Sequence, residues 1–187
     1  DVEDEEATSD VHFQIGAHHE VLSNKPPPWK RWPTIILPLD MDKGQNKLGS
    51  PFGGPIYISA SEDLEGSVTL NLSFNHFLKY PRWVYNDPLV WEETKNKKVP
   101  LSEIECEKVI FTLPTEYMKS VDFEFLNKAM KLIISNISSF MSTPVEKPFR
   151  VVFDIELPEN EPICGYPIIY DINDIEQMII QIQNPSA

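Results

Sequence analysis

Ser50-Pro-Phe-Gly-Gly-Pro-Ile-Tyr-Ile-Ser59 is the stretch of this 187-residue chain that most constrains its fold. The pair Gly53-Gly54 permits a positive backbone φ or the close approach of another backbone segment. The β-branched and aromatic residues that follow favour a strand. We therefore predict a tight entry into a β-strand at Ile56.

Short apolar runs bounded by Pro, Gly, Asn and Asp lie on both sides of this strand. Turn-forming residues between short apolar runs are typical of short strands. Several short strands in succession predict a β-sandwich over residues 11–95. The predicted strands are His12 to Ile15, Ile35 to Leu39, Ile56 to Ser59, Val68 to Phe74 and Trp83 to Tyr85.

The polar, proline-ended segment Thr94 to Pro100 is the predicted boundary between two parts of the chain. After it, Val109 to Leu113 predicts a strand, and Asp122 can cap a helix whose apolar residues recur every three and four positions. The apolar positions of that helix are Leu126, Ala129, Met130, Ile133, Ile137 and Phe140.

Two more apolar runs, Phe149 to Ile155 and Tyr166 to Tyr170, predict strands, and a last helix is expected from about Asn173 to Gln183. The resulting order of strand, helix, strand, strand and helix is typical of an α/β unit, here over residues 96–187.

The charge balance excludes some partners. The chain has 29 acidic and 16 basic residues and a net charge of -13, which would repel nucleic acid and anionic membrane surfaces. Residues 1–10 carry six of the acidic residues and are expected to be a disordered, solvated end. No apolar run approaches the roughly twenty residues that span a bilayer, so we expect no membrane insertion.

Three segments, in this order, resemble the enhancin-like family of zinc metallopeptidases, which attack mucin glycoproteins. They are the Gly-Gly strand, the proline-bounded acidic segment from Val99 to Thr115, and Cys164-Gly-Tyr-Pro-Ile168. Phe13-Gln-Ile-Gly-Ala-His18 resembles an early strand of the same family. The family includes the related TRP-channel-associated factors, which act by binding a cation channel.

The resemblance implies an α+β fold, with an N-terminal jelly-roll-like β-sandwich followed by the first half of a zincin-like α/β subdomain. It also implies a secreted or cell-surface zinc endopeptidase as the parent protein, acting on glycoprotein or mucin-like substrates. The zinc-binding His-Glu-x-x-His helix of the family should lie beyond Ile168, and this sequence does not contain it. We therefore expect no catalytic residue and no metal ligand here, and zinc only in the parent.

For this portion of the domain the resemblance implies scaffolding and substrate positioning. The alternative is an interaction module without a peptidase role, which binds either a membrane channel or a carbohydrate. Exposed tryptophans on one face would favour the carbohydrate module.

The segment from Cys164 to Tyr170 is the candidate for shaping the edge along which zincins bind extended peptides. The substrate-edge candidates are Gly165, Tyr166, Pro167 and Ile168. The alternative is a simple bend, because Gly and Pro both favour bends.

Four tryptophans could stack on sugar rings if they are exposed, although aromatic residues more often pack in a core or a domain interface. These glycan-stacking candidates are Trp29, Trp32, Trp83 and Trp91.

Other reactive side chains favour structural interpretations. His18 and His19 are adjacent on the chain and point to opposite faces of a strand, which does not suit a metal site. Cys106 stands between Glu105 and Glu107, which should raise the pKa of its thiol. Asp154 and Glu156 would share one face of a strand, either as an acid and base pair or as a solvated edge.

Overall fold

The computed structural model describes residues 11–39, 44–60, 72–159 and 161–183. The chain divides into two compact units, Asp1–Val21 with Thr34–Phe77, and Leu22–Pro33 with Leu78–Ala187. The division after Phe77 comes earlier than the predicted boundary near residue 95, and Leu22–Pro33 is part of the second unit although it interrupts the first in sequence.

The first unit contains a three-stranded antiparallel sheet in the order β2-β1-β3. Phe13 is the central residue of this sheet, opposite Leu39 on one side and Ile58 on the other, and it is buried. Of the predicted strand from Val68 to Phe74, residues 68–71 lie outside the described residues and residues 72–74 are not in a strand. The strands are β1 (Val11–Ile15), β2 (Leu37–Leu39) and β3 (Ile56–Ala60).

Two glycines in this unit allow a close approach of backbone segments. Gly54 has a φ of +119°, and a Cβ there would lie 3.2 Å from the Cα of Gly16. Gly16 has a φ of +121°, and a Cβ there would lie 2.8 Å from the carbonyl oxygen of Ile35. The role predicted for the Gly-Gly pair, positive φ and close backbone contact, is confirmed.

The second unit is built on a five-stranded mixed sheet in the order β4-β5-β6-β7-β8. β5 and β6 are antiparallel, and the other neighbouring pairs are parallel. Trp83 was predicted in the sandwich, but it pairs with Ile104 in this sheet, which is why the division between units comes early. The strands are β4 (Arg82–Val84), β5 (Leu101–Glu105), β6 (Val109–Pro114), β7 (Phe149–Asp154) and β8 (Ile168–Asp171).

Two α-helices join these strands, and each begins at an aspartate cap. The Asp122 side chain accepts a hydrogen bond from the Phe125 N–H at 3.0 Å, as the sequence predicts. Asp87 accepts in the same way from Leu89, and Pro88 follows it. The helices are α1 (Pro88–Thr94) and α2 (Phe123–Met141), with shorter 3-10 turns at Thr115–Ser120 and Gln181–Gln183 and a π-helical turn at Glu176–Ile180.

The hydrophobic core of the second unit lies between the sheet and α2. Leu126 and Met130 bring α2 into this core. Three of its predicted apolar positions, Ile133, Ile137 and Phe140, are instead exposed. The core also contains Trp83, Ile104, Phe111, Leu113, Val151, Phe153, Ile175 and Ile179.

One antiparallel sheet and one mixed sheet with helices confirm the predicted α+β class. The jelly-roll-like sandwich stays a prediction, because the described residues of the first unit form three strands.

Candidate functional site

The segment Leu22–Pro33, called here the tryptophan loop, carries Trp29 and Trp32 and packs in the second unit. Its ends meet where the Leu22 N–H donates to the Pro33 carbonyl oxygen at 3.1 Å. Leu22 is fully buried and anchors the start of the loop. Proline has no backbone N–H, so the middle of the loop has few backbone hydrogen-bond donors. The loop therefore depends on side chains to hold its shape.

Arg31 holds the tryptophan loop through an ion pair and hydrogen bonds. Its Nε donates to Asp154 Oδ2 at 2.6 Å, and only 6% and 5% of the two side chains are exposed. Its Nη1 donates to the carbonyl oxygens of Trp32 and Pro33 at 2.9 and 3.0 Å. One buried guanidinium therefore joins the end of β7 to the backbone carbonyl groups of Trp32 and Pro33.

Glu156 holds the first half of the loop. Its carboxylate accepts a hydrogen bond from the Lys30 backbone N–H and lies 3.3 Å from Lys25 Nζ. Lys25 also donates to the carbonyl oxygen of Leu157 at 2.9 Å. Burial alone would raise the pKa of Glu156, but the hydrogen bonds from Lys30 and Lys25 outweigh it and lower that pKa.

Asp154 and Glu156 both lie beside the tryptophan loop, where both are buried and each is paired with a cation. The interpretation as a solvated edge is therefore wrong. Each carboxylate is instead engaged by its own cation, Arg31 for Asp154 and Lys25 for Glu156. The two carboxylates fix the tryptophan loop in place.

The four tryptophans have different surroundings. Trp29 is 41% exposed and Trp32 is 65% exposed, and the Trp29 Nε1 donates to the Lys25 carbonyl oxygen at 2.7 Å. Trp83 and Trp91 instead pack on Phe123, with ring centroids 5.3 and 5.0 Å from it. Of the four, Trp29 and Trp32 are the exposed ones, and glycan stacking stays a prediction for them.

The predicted substrate-edge residues lie at the start of β8, which is an edge strand of the five-stranded sheet. Tyr166 is 60% exposed, whereas Pro167 is buried and Ile168 packs against the core. The Ile169 carbonyl oxygen already accepts a hydrogen bond from the Ile163 N–H at 2.9 Å, and the Ile169 N–H donates to the Ile163 carbonyl oxygen at 3.0 Å. An extended peptide could not pair with Ile169 unless that contact opened.

A buried polar cluster that no local sequence pattern predicts joins three strands. Glu103 accepts hydrogen bonds from the hydroxyls of Tyr80 at 2.7 Å and Thr112 at 3.1 Å, and from Arg150 at 3.3 Å. Each carboxylate oxygen has a donor, so the cluster ties β5, β6 and β7 together rather than presenting an open reactive group.

The histidines do not converge on a metal site within the described residues. His18 is buried, and its Nδ1 accepts from the Glu20 backbone N–H at 3.3 Å, while His19 points toward Glu20 with an Nε2 to oxygen distance of 3.7 Å. No three His, Cys, Asp or Glu side chains in the described ranges lie close enough to hold a metal ion. The residues of this chain that the structure describes do not fit a zinc centre.

Cys106 is a buried thiol, and burial raises its pKa to about 12, with a smaller contribution from Glu124. The predicted direction is confirmed, but its main cause is burial rather than the neighbouring Glu105 and Glu107. Cys164 is exposed, and both cysteines are free. None of the helices in the described ranges combines the length and the apolar character that crossing a membrane requires.

Residues 1–73 match the family described as the N-terminal domain of M60-like peptidases. The chain is 22% identical over 180 residues to TRPM8 channel-associated factor 2 of Mus musculus, a match that covers 92% of this chain and 19% of that protein. The chain therefore spans about a fifth of the length of this curated relative.

Two solved structures share the fold. A functionally unknown conserved protein from Bacillus anthracis str. Ames has a TM-score of 0.68 at 18% identity, over 98% of this chain and 39% of that one. IMPa from Pseudomonas aeruginosa, a metallopeptidase, was solved in complex with an O-glycopeptide and has a TM-score of 0.55 at 14% identity, over 91% of this chain and 24% of that one.

The class of protein that emerges has a mixed α+β fold similar to that of the Bacillus anthracis protein and of IMPa, a metallopeptidase. Its first 73 residues carry the signature of the M60-like N-terminal domain. The resemblance to enhancin-like metallopeptidases and the related channel-associated factors, predicted from the sequence, is thereby confirmed.

Proposed function

We propose that this chain is the non-catalytic N-terminal portion of an enhancin-like zinc metallopeptidase domain, and that it positions glycoprotein or mucin-like substrate. In this proposal the first unit is the jelly-roll-like sandwich and the second is the first half of a zincin-like subdomain. Zinc and the catalytic residues belong to the full-length parent.

The tryptophan loop carries the glycan-positioning part of this proposal, and the match of residues 1–73 to the N-terminal domain of M60-like peptidases supports the peptidase part. Two exposed tryptophans stand on a segment that the Arg31–Asp154 and Lys25–Glu156 ion pairs hold in one shape. Rigid aromatic rings lose little conformational entropy on binding, which suits them to stacking on sugar rings. A related fold has been solved with an O-glycopeptide bound, which supports a glycopeptide as the ligand to test.

The test is binding of an O-glycosylated peptide to this chain, measured by calorimetry, with the same peptide lacking its sugar as a reference. We expect the sugar to increase affinity, and Trp29→Ala with Trp32→Ala to weaken binding at least about tenfold, or about 1.4 kcal/mol. Leu89→Ala is the matched control, because Leu89 is an exposed apolar residue on α1 outside the loop.

Equal affinity for the two peptides, or unchanged affinity of the double variant, would remove the glycan-positioning role. The family resemblance would be unaffected, because it does not depend on the loop.

A second candidate function is a channel-associated binding module with no peptidase role. The similarity to TRPM8 channel-associated factor 2 over 92% of this chain favours it. The test is capture of detergent-solubilised TRPM8 channel by the immobilised chain. Capture that persists in the Trp29→Ala and Trp32→Ala double variant, together with no preference for the glycosylated peptide, would favour this function over the first.

A further inference from the structure

The second half of α2 exposes an apolar surface that nothing in the described residues covers. Phe140 is 92% exposed, although large aromatic side chains are usually buried in folded proteins. Four neighbours on the same half of the helix are also exposed, and we call the five residues together the α2 face. The α2 face consists of Leu132, Ile133, Ile137, Phe140 and Met141.

The α2 face continues a packing surface that already exists. Ile133, Ile137 and Phe140 repeat at four and three residues, in line with Leu126 and Met130, which pack in the core. One apolar stripe therefore covers the sheet along the first turns of α2 and meets solvent along the last turns. Its spacing is that of a helix that packs against another helix.

The sequence of the α2 face contains no charge. From Leu132 to Val145 the sequence has no Asp, Glu, Lys or Arg, in a chain whose net charge is -13. Depletion of charged residues is the compositional mark of an interface core. Two copies of this chain would repel each other over most of their surfaces, but not here.

We propose that the α2 face is the interface of a homodimer, in which the second halves of two α2 helices pack antiparallel about a two-fold axis near Ile137. Such an interface is self-complementary. It sets Ile133 opposite the second copy's Met141.

The size of the surface sets the strength of the dimer. If the five side chains of each copy lose all of their exposed surface area, the dimer buries roughly 1,000 Å² in total. This area is near the lower bound for a specific interface. We therefore expect a reversible dimer that forms at micromolar concentrations and dissociates on dilution.

Sedimentation velocity of the whole chain, from about 1 to 200 µM, tests the proposal. We expect the mean mass to rise from one chain toward two, and Phe140→Lys to raise the dissociation constant at least about 100-fold, as loss of a central aromatic anchor does. Phe140 is exposed in the single chain, so an unchanged far-UV circular dichroism spectrum is expected. Leu89→Lys, at an apolar residue 70% exposed on α1, is the matched control and should dimerise like the wild type.

Disulfide trapping locates the axis. In a Cys164→Ser background the remaining Cys106 is buried, so Ile137→Cys supplies the accessible thiol. We expect it to form a cross-linked dimer on mild oxidation much faster than Leu89→Cys in the same background.

A wild-type chain that stays monomeric at 200 µM overturns the proposal and leaves the α2 face to a different polypeptide. A Phe140→Lys variant that still dimerises, or equal cross-linking of the two cysteine variants, also overturns it. None of these outcomes bears on glycopeptide binding by the tryptophan loop.

Discussion

Two pairs of tryptophans in this chain lie in opposite environments. Trp83 and Trp91 enclose Phe123 at the edge of the second unit's core, while Trp29 and Trp32 stand exposed on the tryptophan loop. The first pair is held by ring contacts with Phe123. The second is held through its backbone, by Arg31 and Glu156.

The difference shows how the same residue type can stabilise a fold in one place and remain available for a ligand in another. Where ring faces are buried, the tryptophan contributes through the area removed from water. Where ion pairs fix the backbone instead, the side chains stay exposed. Variants at each place should therefore differ in which property they change.

The largest effect is expected for Trp83→Ala. It removes a buried ring and leaves a cavity beside Phe123, which should lower the free energy of unfolding by roughly 3–5 kcal/mol. Chemical denaturation followed by circular dichroism measures the change. Trp32→Ala is the matched control, with an expected change below about 0.5 kcal/mol; comparable losses in both variants would contradict the comparison.

Arg31→Ala should have the next largest effect. It leaves the buried Asp154 carboxylate without its cation, which typically costs about 3 kcal/mol, and it frees the backbone around Trp32. We expect lower stability and faster proteolytic cleavage within the tryptophan loop. Lys79→Ala breaks an exposed pair with Glu93 and should change stability by no more than about 0.5 kcal/mol.

The pH dependence of Glu156 gives a smaller effect with a definite sign. Its pKa is lowered in the folded chain, so the unfolded chain binds the proton more tightly. The stabilisation is therefore complete above the ordinary glutamate pKa of about 4.3 and is lost as pH falls through the lower folded pKa. Thermal unfolding between pH 6 and pH 3 should show the wild type losing its advantage over Glu156→Gln as the solution is acidified.

A constant difference between wild type and Glu156→Gln over that pH range would mean that Glu156 does not hold the loop through its charge. The Lys30 backbone N–H would then be the more important contact, since a glutamine oxygen can still accept it.

The smallest effect is expected for Trp→Phe variants, which should change the quenching of fluorescence without changing stability. Trp29→Phe with Trp32→Phe should remove most of the tryptophan fluorescence that acrylamide can quench, while Trp83→Phe with Trp91→Phe should leave a strongly quenched signal. Stern–Volmer slopes that differ by several-fold between the two double variants are expected. Similar slopes would mean that the loop tryptophans are not open in solution.

Local signals in the sequence accounted for much of the second unit. The cap at Asp122, the recurrence of apolar residues after it, and the apolar runs at β6 and β7 are patterns within a few residues, and each was predicted in place. The Gly53-Gly54 entry into β3 was predicted for the same reason. α1 was missed although Asp87-Pro88 is a helix-start signal.

The sequence by itself determined the α+β class, the family resemblance and the start of α2, because periodicity and capping chemistry are local. Only the tertiary structure decided which tryptophans are exposed, that Asp154 and Glu156 are buried, and that the second half of the apolar stripe of α2 is exposed. Arg31 and Asp154 are separated by 123 residues in the chain. No local pattern encodes that contact, because the face of an element that becomes buried depends on which distant segment packs against it.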